Sequence, residues 1–130
     1  MLRERPGSGQ NDPVTLLEAI AAGDRDVLNG LLADDVVFHS PVQTYRGRDQ
    51  VVLLLTTISG IIDEVEPTRE LDGVTFFAAT VEEHPVDGML DEHTDVAGHI
   101  AELTLMMRPL AQLQAAVARM ARALSTPGQN

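Results

Sequence analysis

The hydrophobic period changes once along this chain, and that change constrains the fold more than any other feature. Between residues 12 and 60 apolar side chains recur at steps of three and four, the spacing of helices that bury one stripe. From Ile61 onward, segments of about 8 to 11 residues are separated by turn signals at Leu71-Asp72-Gly73, Pro85-Val86-Asp87-Gly88 and Val96-Ala97-Gly98, the mark of an antiparallel meander. Helices followed by strands make an α+β chain, whose sheet must bury one face against the helices.

Asp12 before Pro13 predicts an N-cap with proline in the first helical position, and Leu16, Leu17, Ile20 and Ala21 carry the apolar stripe to a stop at Gly23. Asp24 can cap a second, shorter helix with Val27, Leu28, Leu31 and Leu32 on its apolar side, closed by Ala33 and Asp34. Val36 to His39 is a brief β-prone run that Ser40 and Pro41 end. After a polar loop around Tyr45, Arg46 and Gly47, Asp49 can cap a third helix carrying Val51, Val52, Leu54, Leu55 and Ile58, which stops near Gly60.

Four more strands are predicted after it. Pro67 suits an edge or a bulge, and Val74 to Val81 is apolar on both faces and therefore calls for cover on both sides. His99 to Arg108 alternates, with Ala101, Leu103, Leu105 and Met107 on one face and Glu102, Thr104 and Arg108 on the other. Beyond Pro109, the residues Leu110, Leu113, Val117, Met120 and Leu124 form an a/d seam that covers either its own domain, the more economical choice, or a second chain.

With 130 residues the chain has room for one core, so residues 12–125 are read as a single domain between flexible tails at 1–11 and 126–130. Twenty acidic residues against 9 basic ones give a net charge of −11, which repels nucleic acid and anionic membrane surfaces alike. Every basic residue is arginine, a bias that points to a GC-rich bacterial genome. The absence of cysteine excludes disulfides, thiolate catalysis and cysteine-based zinc sites. With no signal-like or membrane-spanning run, the expected location is cytoplasmic.

Several segments carry a family resemblance. Ala-Ala-Gly-Asp-Arg-Asp (21–26) and Leu-Leu-Ala-Asp-Asp-Val-Val-Phe-His-Ser-Pro (31–41) resemble the passage from helix one to the first strand in the superfamily of nuclear transport factor 2, ketosteroid isomerases and SnoaL-type polyketide cyclases. Tyr-Arg-Gly-Arg-Asp (45–49) is similar to the loop that opens their third helix, and residues 98–109 resemble their closing strand. The resemblance implies a cone-shaped fold in which a curved antiparallel sheet packs on three N-terminal helices, with the C-terminal helix added. It also implies an apolar pocket, but not one function. The isomerase general-base aspartate corresponds here to Ser40, and the isomerase oxyanion tyrosine to Leu16. The acid of the SnoaL cyclases falls near Leu90, Asp91 or Glu92, on Leu90 in an ungapped register and on Asp91 after a shift of one. The Asp-Arg-Asp arrangement of limonene epoxide hydrolase finds no counterpart.

His39, among apolar neighbours at a strand end, has the imidazole chemistry to move a proton near neutral pH; the plain alternative is a hydrogen-bonded or outward-facing histidine. Asp91, His93 and Asp95 alternate along one strand and would share a face, either as a solvated row or, in an apolar cavity, as an acid supported by an imidazole. That alternation is a weak ligand set, and no metal is expected. Phe38, Tyr45 and Met89, with Leu16 and Ser40, are candidate ligand contacts; Met89, Met106 and Met107 serve a pocket or a core equally well. Two functions follow as expectations. One is a cofactor-free acid/base enzyme of isomerase or cyclase type, acting on a small hydrophobic oxygenated molecule through His39 and Asp91. The other is a noncatalytic domain that binds a hydrophobic ligand or acts as a dimeric scaffold. In both a homodimer is expected, because pairing two sheets would cover Val74 to Val81.

Overall fold

A computed structural model describes residues 15–125; the expected tails, and the expected cap at Asp12 and Pro13, lie outside the described residues. Helix α1 (Leu16–Ala22) opens on Thr15, whose side chain accepts the Glu18 N–H while Glu18 reaches back to the Thr15 N–H. This capping box satisfies two N-terminal amides at once. Gly23, at φ 66°, closes the helix in the left-handed conformation. Helix α2 (Arg25–Leu31) is capped by Asp24, as its sequence predicts.

Strand β1 (Leu32–His39) begins four residues before the predicted Val36. Leu32, expected on the helical stripe, is instead the C-cap of α2, its N–H donating to the Leu28 carbonyl, and it and Ala33 are buried in extended backbone, so tertiary burial overrides the helical spacing. The loop around Tyr45 contains a three-residue strand, β2 (Thr44–Arg46), that pairs Tyr45 with Phe38. Helix α3 (Arg48–Ser59) follows, with Gly47 rather than Asp49 at its N-cap and no side-chain cap bond.

The meander consists of β3 (Ile62–Leu71), β4 (Val74–Val81), β5 (His84–Thr94) and β6 (Ile100–Arg108), and α4 (Leu110–Ser125) completes the chain. The sheet order is β2-β1-β6-β5-β4-β3. Four of its pairings are antiparallel, but β1 runs parallel to β6, so the sheet is mixed rather than purely antiparallel. Pro67 lies on the edge strand β3 beside a register shift, a position in a sheet that tolerates proline. The turns at 72–73 and 96–98 fall where their glycines predict. The predicted turn at Pro85–Gly88 does not form: the chain reverses at Glu82 and Glu83, with φ of 52° and 70°, and Pro85 to Gly88 continue β5.

One face of the sheet packs on the helices. Its core joins Leu16, Leu28, Val36, Phe38, Val51, Leu55, Phe77, Leu90 and Leu103. Leu103 and Leu105 of β6 turn inward while Glu102 and Met106 face out, the alternation the sequence predicts. On β4, Phe77, Ala79 and Val81 are buried, whereas Phe76 and Ala78 on the outer face are only half covered.

Candidate functional site

The C-terminal helix lies over its own domain. Ala116 is buried, Leu113, Val117 and Met120 are half-buried, and Arg119 Nη2 donates to the Gly60 carbonyl at the end of α3 over 3.3 Å. Beneath α4 is a cavity of about 170 Å³. Phe38, Ser40, Pro41, Val42 and Tyr45 line it from the β1–β2 corner, Leu54 and Ile58 from α3, and Leu105 and Met107 from β6. Leu113, Val117, Met120, Ala121 and Leu124 of α4 close it.

Two lining residues have polar side chains. The Ser40 hydroxyl donates to the Gln43 carbonyl (2.8 Å) and accepts the amides of Val42 (3.3 Å) and Gln43 (3.1 Å), so the tight loop after β1 uses all of its capacity. Tyr45 stacks on Phe38 with ring centroids 6.2 Å apart and planes inclined by 27°. No described residue hydrogen-bonds its hydroxyl, which is the only ionisable side-chain group that the described residues contribute to the lining. A wall of this kind holds an apolar molecule by excluding water and orients it through very few polar contacts.

Of the candidate ligand contacts, the structure brings together Phe38, Ser40 and Tyr45. Leu16 is a core residue outside the lining, and Met89 sits on the outer sheet face. Met107 lines the cavity, while Met106 is 52% exposed on the opposite side.

The candidate proton-transfer residues also lie on the outer face. His39 Nε2 is 2.7 Å from Glu102 Oε2 and its Nδ1 is 3.0 Å from Thr44 Oγ1, so the side chain bridges β2, β1 and β6 away from the helices. Asp91 and His93 do share a face, with Oδ1 and Nε2 3.3 Å apart, but it is the outer one. Asp95 has left the strand, and its carboxylate accepts the amides of Ala97 and His99 within the turn. Among the described residues no group of three acidic, histidine or cysteine side chains could hold a metal ion.

Of the three positions considered for the SnoaL acid, Leu90 and Glu92 alternate inward and Asp91 outward. Leu90 is 1% exposed and shares with Phe77, Leu17 and Ile20 a void of only about 10 Å³. The centre of the cone is filled, and the cavity under α4 lies to one side of it. Glu92, toward the end of β5, has a carboxyl raised above its ordinary range, first by burial and then by the charges of Glu70 and Asp91.

The site residues that sequence reasoning missed include Leu54, Ile58, Leu105, Val117 and Met120. Their spacing reads as core packing, and only the a/d seam of α4 marks a surface in need of cover.

An open, curved sheet wrapped on helices, with an apolar cavity at one side, defines the cone-shaped α+β class. The chain belongs to the SnoaL-like family within the nuclear transport factor 2-like superfamily. The sequence model described as "SnoaL-like domain" matches residues 14–69. A steroid delta-isomerase from Pseudomonas aeruginosa is 31% identical, with a TM-score of 0.77 over 83% of this chain and 85% of that one. A bacterial protein of cystatin-like fold from Silicibacter pomeroyi is 27% identical, with a TM-score of 0.82 over 88% of this chain and 85% of that one. An epoxide hydrolase of Mycobacterium tuberculosis, 23% identical with a TM-score of 0.55 over 85% of this chain and 90% of that one, shares the fold. None of the curated proteins compared with the chain matches it.

Proposed function

We propose that this SnoaL-like domain binds a small hydrophobic molecule in the cavity beneath α4, as a binding module rather than an acid/base enzyme. The observation that carries this reading is the lining itself: apolar side chains from β1, α3, β6 and α4 surround about 170 Å³, with Tyr45 as the only ionisable group among the described lining residues. Proton transfer needs an acid or base within hydrogen-bond reach of the substrate. His39, Asp91 and His93 are instead engaged on the far side of the sheet. The steroid delta-isomerase among its relatives favours an isomerase reading, but Ser40 and Leu16 stand at the two positions that resemblance assigns to isomerase chemistry.

Calorimetric titration with isopropylcyclohexane, a neutral single-ring probe, tests the proposal. Binding is expected for the native chain and absent from a folded Val117→Phe variant, whose ring would occupy the cavity. Equal binding by both, or binding by neither, contradicts it.

We also propose a homodimer through the outer face of the sheet. Phe76, Met89 and Met106 supply apolar area there. On that face Arg108 pairs with Asp87, while the His39 and His93 rings lie beside Glu102 and Asp91.

A further inference from the structure

We propose that Tyr45 determines the specificity of the α4 cavity, and that the ligand is a neutral, single-ring molecule carrying one hydrogen-bond-accepting oxygen, a ketone or an ether. This rests on the cavity-binding reading above and adds the chemical class of the ligand.

Size sets the first limit. An apolar cavity of roughly 150 Å³ accommodates a benzene-sized molecule. The 170 Å³ found here therefore suits one substituted ring and excludes fused polycyclic ligands unless α4 moves.

Charge sets the second. Among the described residues no arginine or histidine lines the cavity, so a carboxylate or phosphate would be desolvated there without a counter-ion inside a chain of net charge −11. An ammonium ligand fares no better, because no described aspartate or glutamate lines the cavity either.

Polar capacity sets the third. The Ser40 hydroxyl has spent its donor and both acceptor positions on the 40–43 loop. Among the described lining residues Tyr45 carries the remaining polar side-chain group, and no described residue hydrogen-bonds its hydroxyl. One ligand oxygen can meet it, and a second would be buried without a partner. The phenol is also well placed to discriminate, because β-pairing of Tyr45 with Phe38 and stacking of the two rings fix the arm that carries it. A preorganised donor loses little entropy on binding and penalises an analogue that leaves it unpaired.

The test pairs cyclohexyl methyl ketone with isopropylcyclohexane, which differ chiefly in the carbonyl oxygen, on the native chain and on Tyr45→Phe. The ketone is expected to bind Tyr45→Phe about fivefold to tenfold more weakly than the native chain, while the hydrocarbon binds the two within about a factor of two. Tyr45 is the only tyrosine and there is no tryptophan, so a red shift of the near-ultraviolet band on adding ketone, absent with hydrocarbon, reports donation by that hydroxyl directly. Ketone affinity unchanged in Tyr45→Phe, with no red shift, overturns the role of Tyr45 and leaves the cavity reading intact. Failure of both probes to bind the native chain overturns both.

Discussion

Phe77 of β4 lays its ring directly over Gly88 of β5, its cross-strand partner, so closely that a Cβ at position 88 would collide with the ring. Gly88 is glycine because of this approach and not because the chain turns there. The contact also helps fill the centre of the cone, where Phe77 and Leu90 leave almost no space.

Gly88→Ala should therefore destabilise the domain by about 1–3 kcal/mol, the usual cost of overpacking a close-packed interior. Chemical denaturation measures it. Gly88→Ala combined with Phe77→Leu should lose less than the sum of the two single changes, because the shorter side chain makes room for the methyl group. Strict additivity would argue against the contact.

Glu92 gives the fold a pH dependence of known sign. Its carboxyl titrates above the ordinary range in the folded chain, through burial first and then the charges of Glu70 and Asp91. The folded state thus favours the protonated form. The stability linked to this group is present below the ordinary glutamate pKa of about 4.3 and is lost as pH rises through the raised value. Glu92→Gln should melt about 2–4 °C higher than the native chain at neutral pH, with the gap closing under acid conditions. A constant difference across the pH range would remove Glu92 as its source.

Self-association through the outer sheet face predicts that Met106→Glu converts a dimer to a monomer. Met106 is 52% exposed and contributes nothing to the core, so the fold should survive. Sedimentation velocity distinguishes the species. A native chain that sediments as a monomer at micromolar concentration, or a variant that stays dimeric, contradicts the assignment of this face.

Much of the architecture could be read from the sequence because periodicity reports burial. The stripe of α1, the alternation of β6 and the edge position of Pro67 all follow from which side of an element meets the core. The misreadings arose where local chemistry was ambiguous. Pro85 and Gly88 have turn-like composition, yet Glu82 and Glu83 take the positive φ values, and Gly88 answers a packing demand from another strand. Leu32 fits both a helical stripe and a buried strand, and only tertiary burial decides between them.

The candidate site was less legible. Strand alternation correctly puts Asp91 and His93 on one face, but which face depends on a register that a single residue reverses. His39 is ambiguous for the same reason. Phe38, Ser40 and Tyr45 were recognisable from the 31–49 passage, whereas the cavity's other wall consists of ordinary core residues that only the placement of α4 turns into a lining.

The methionines provide the most direct test that the space beneath α4 is a binding site. Met107 and Met120 line it, while Met89 and Met106 lie on the outer sheet face as internal controls. On titration of the methyl-13C-methionine-labelled chain with isopropylcyclohexane, the Met107 and Met120 methyl resonances should shift together and saturate while those of Met89 and Met106 stay in place. Saturable shifts confined to Met89 and Met106, or no shift at any of the four, would contradict a ligand site under the C-terminal helix.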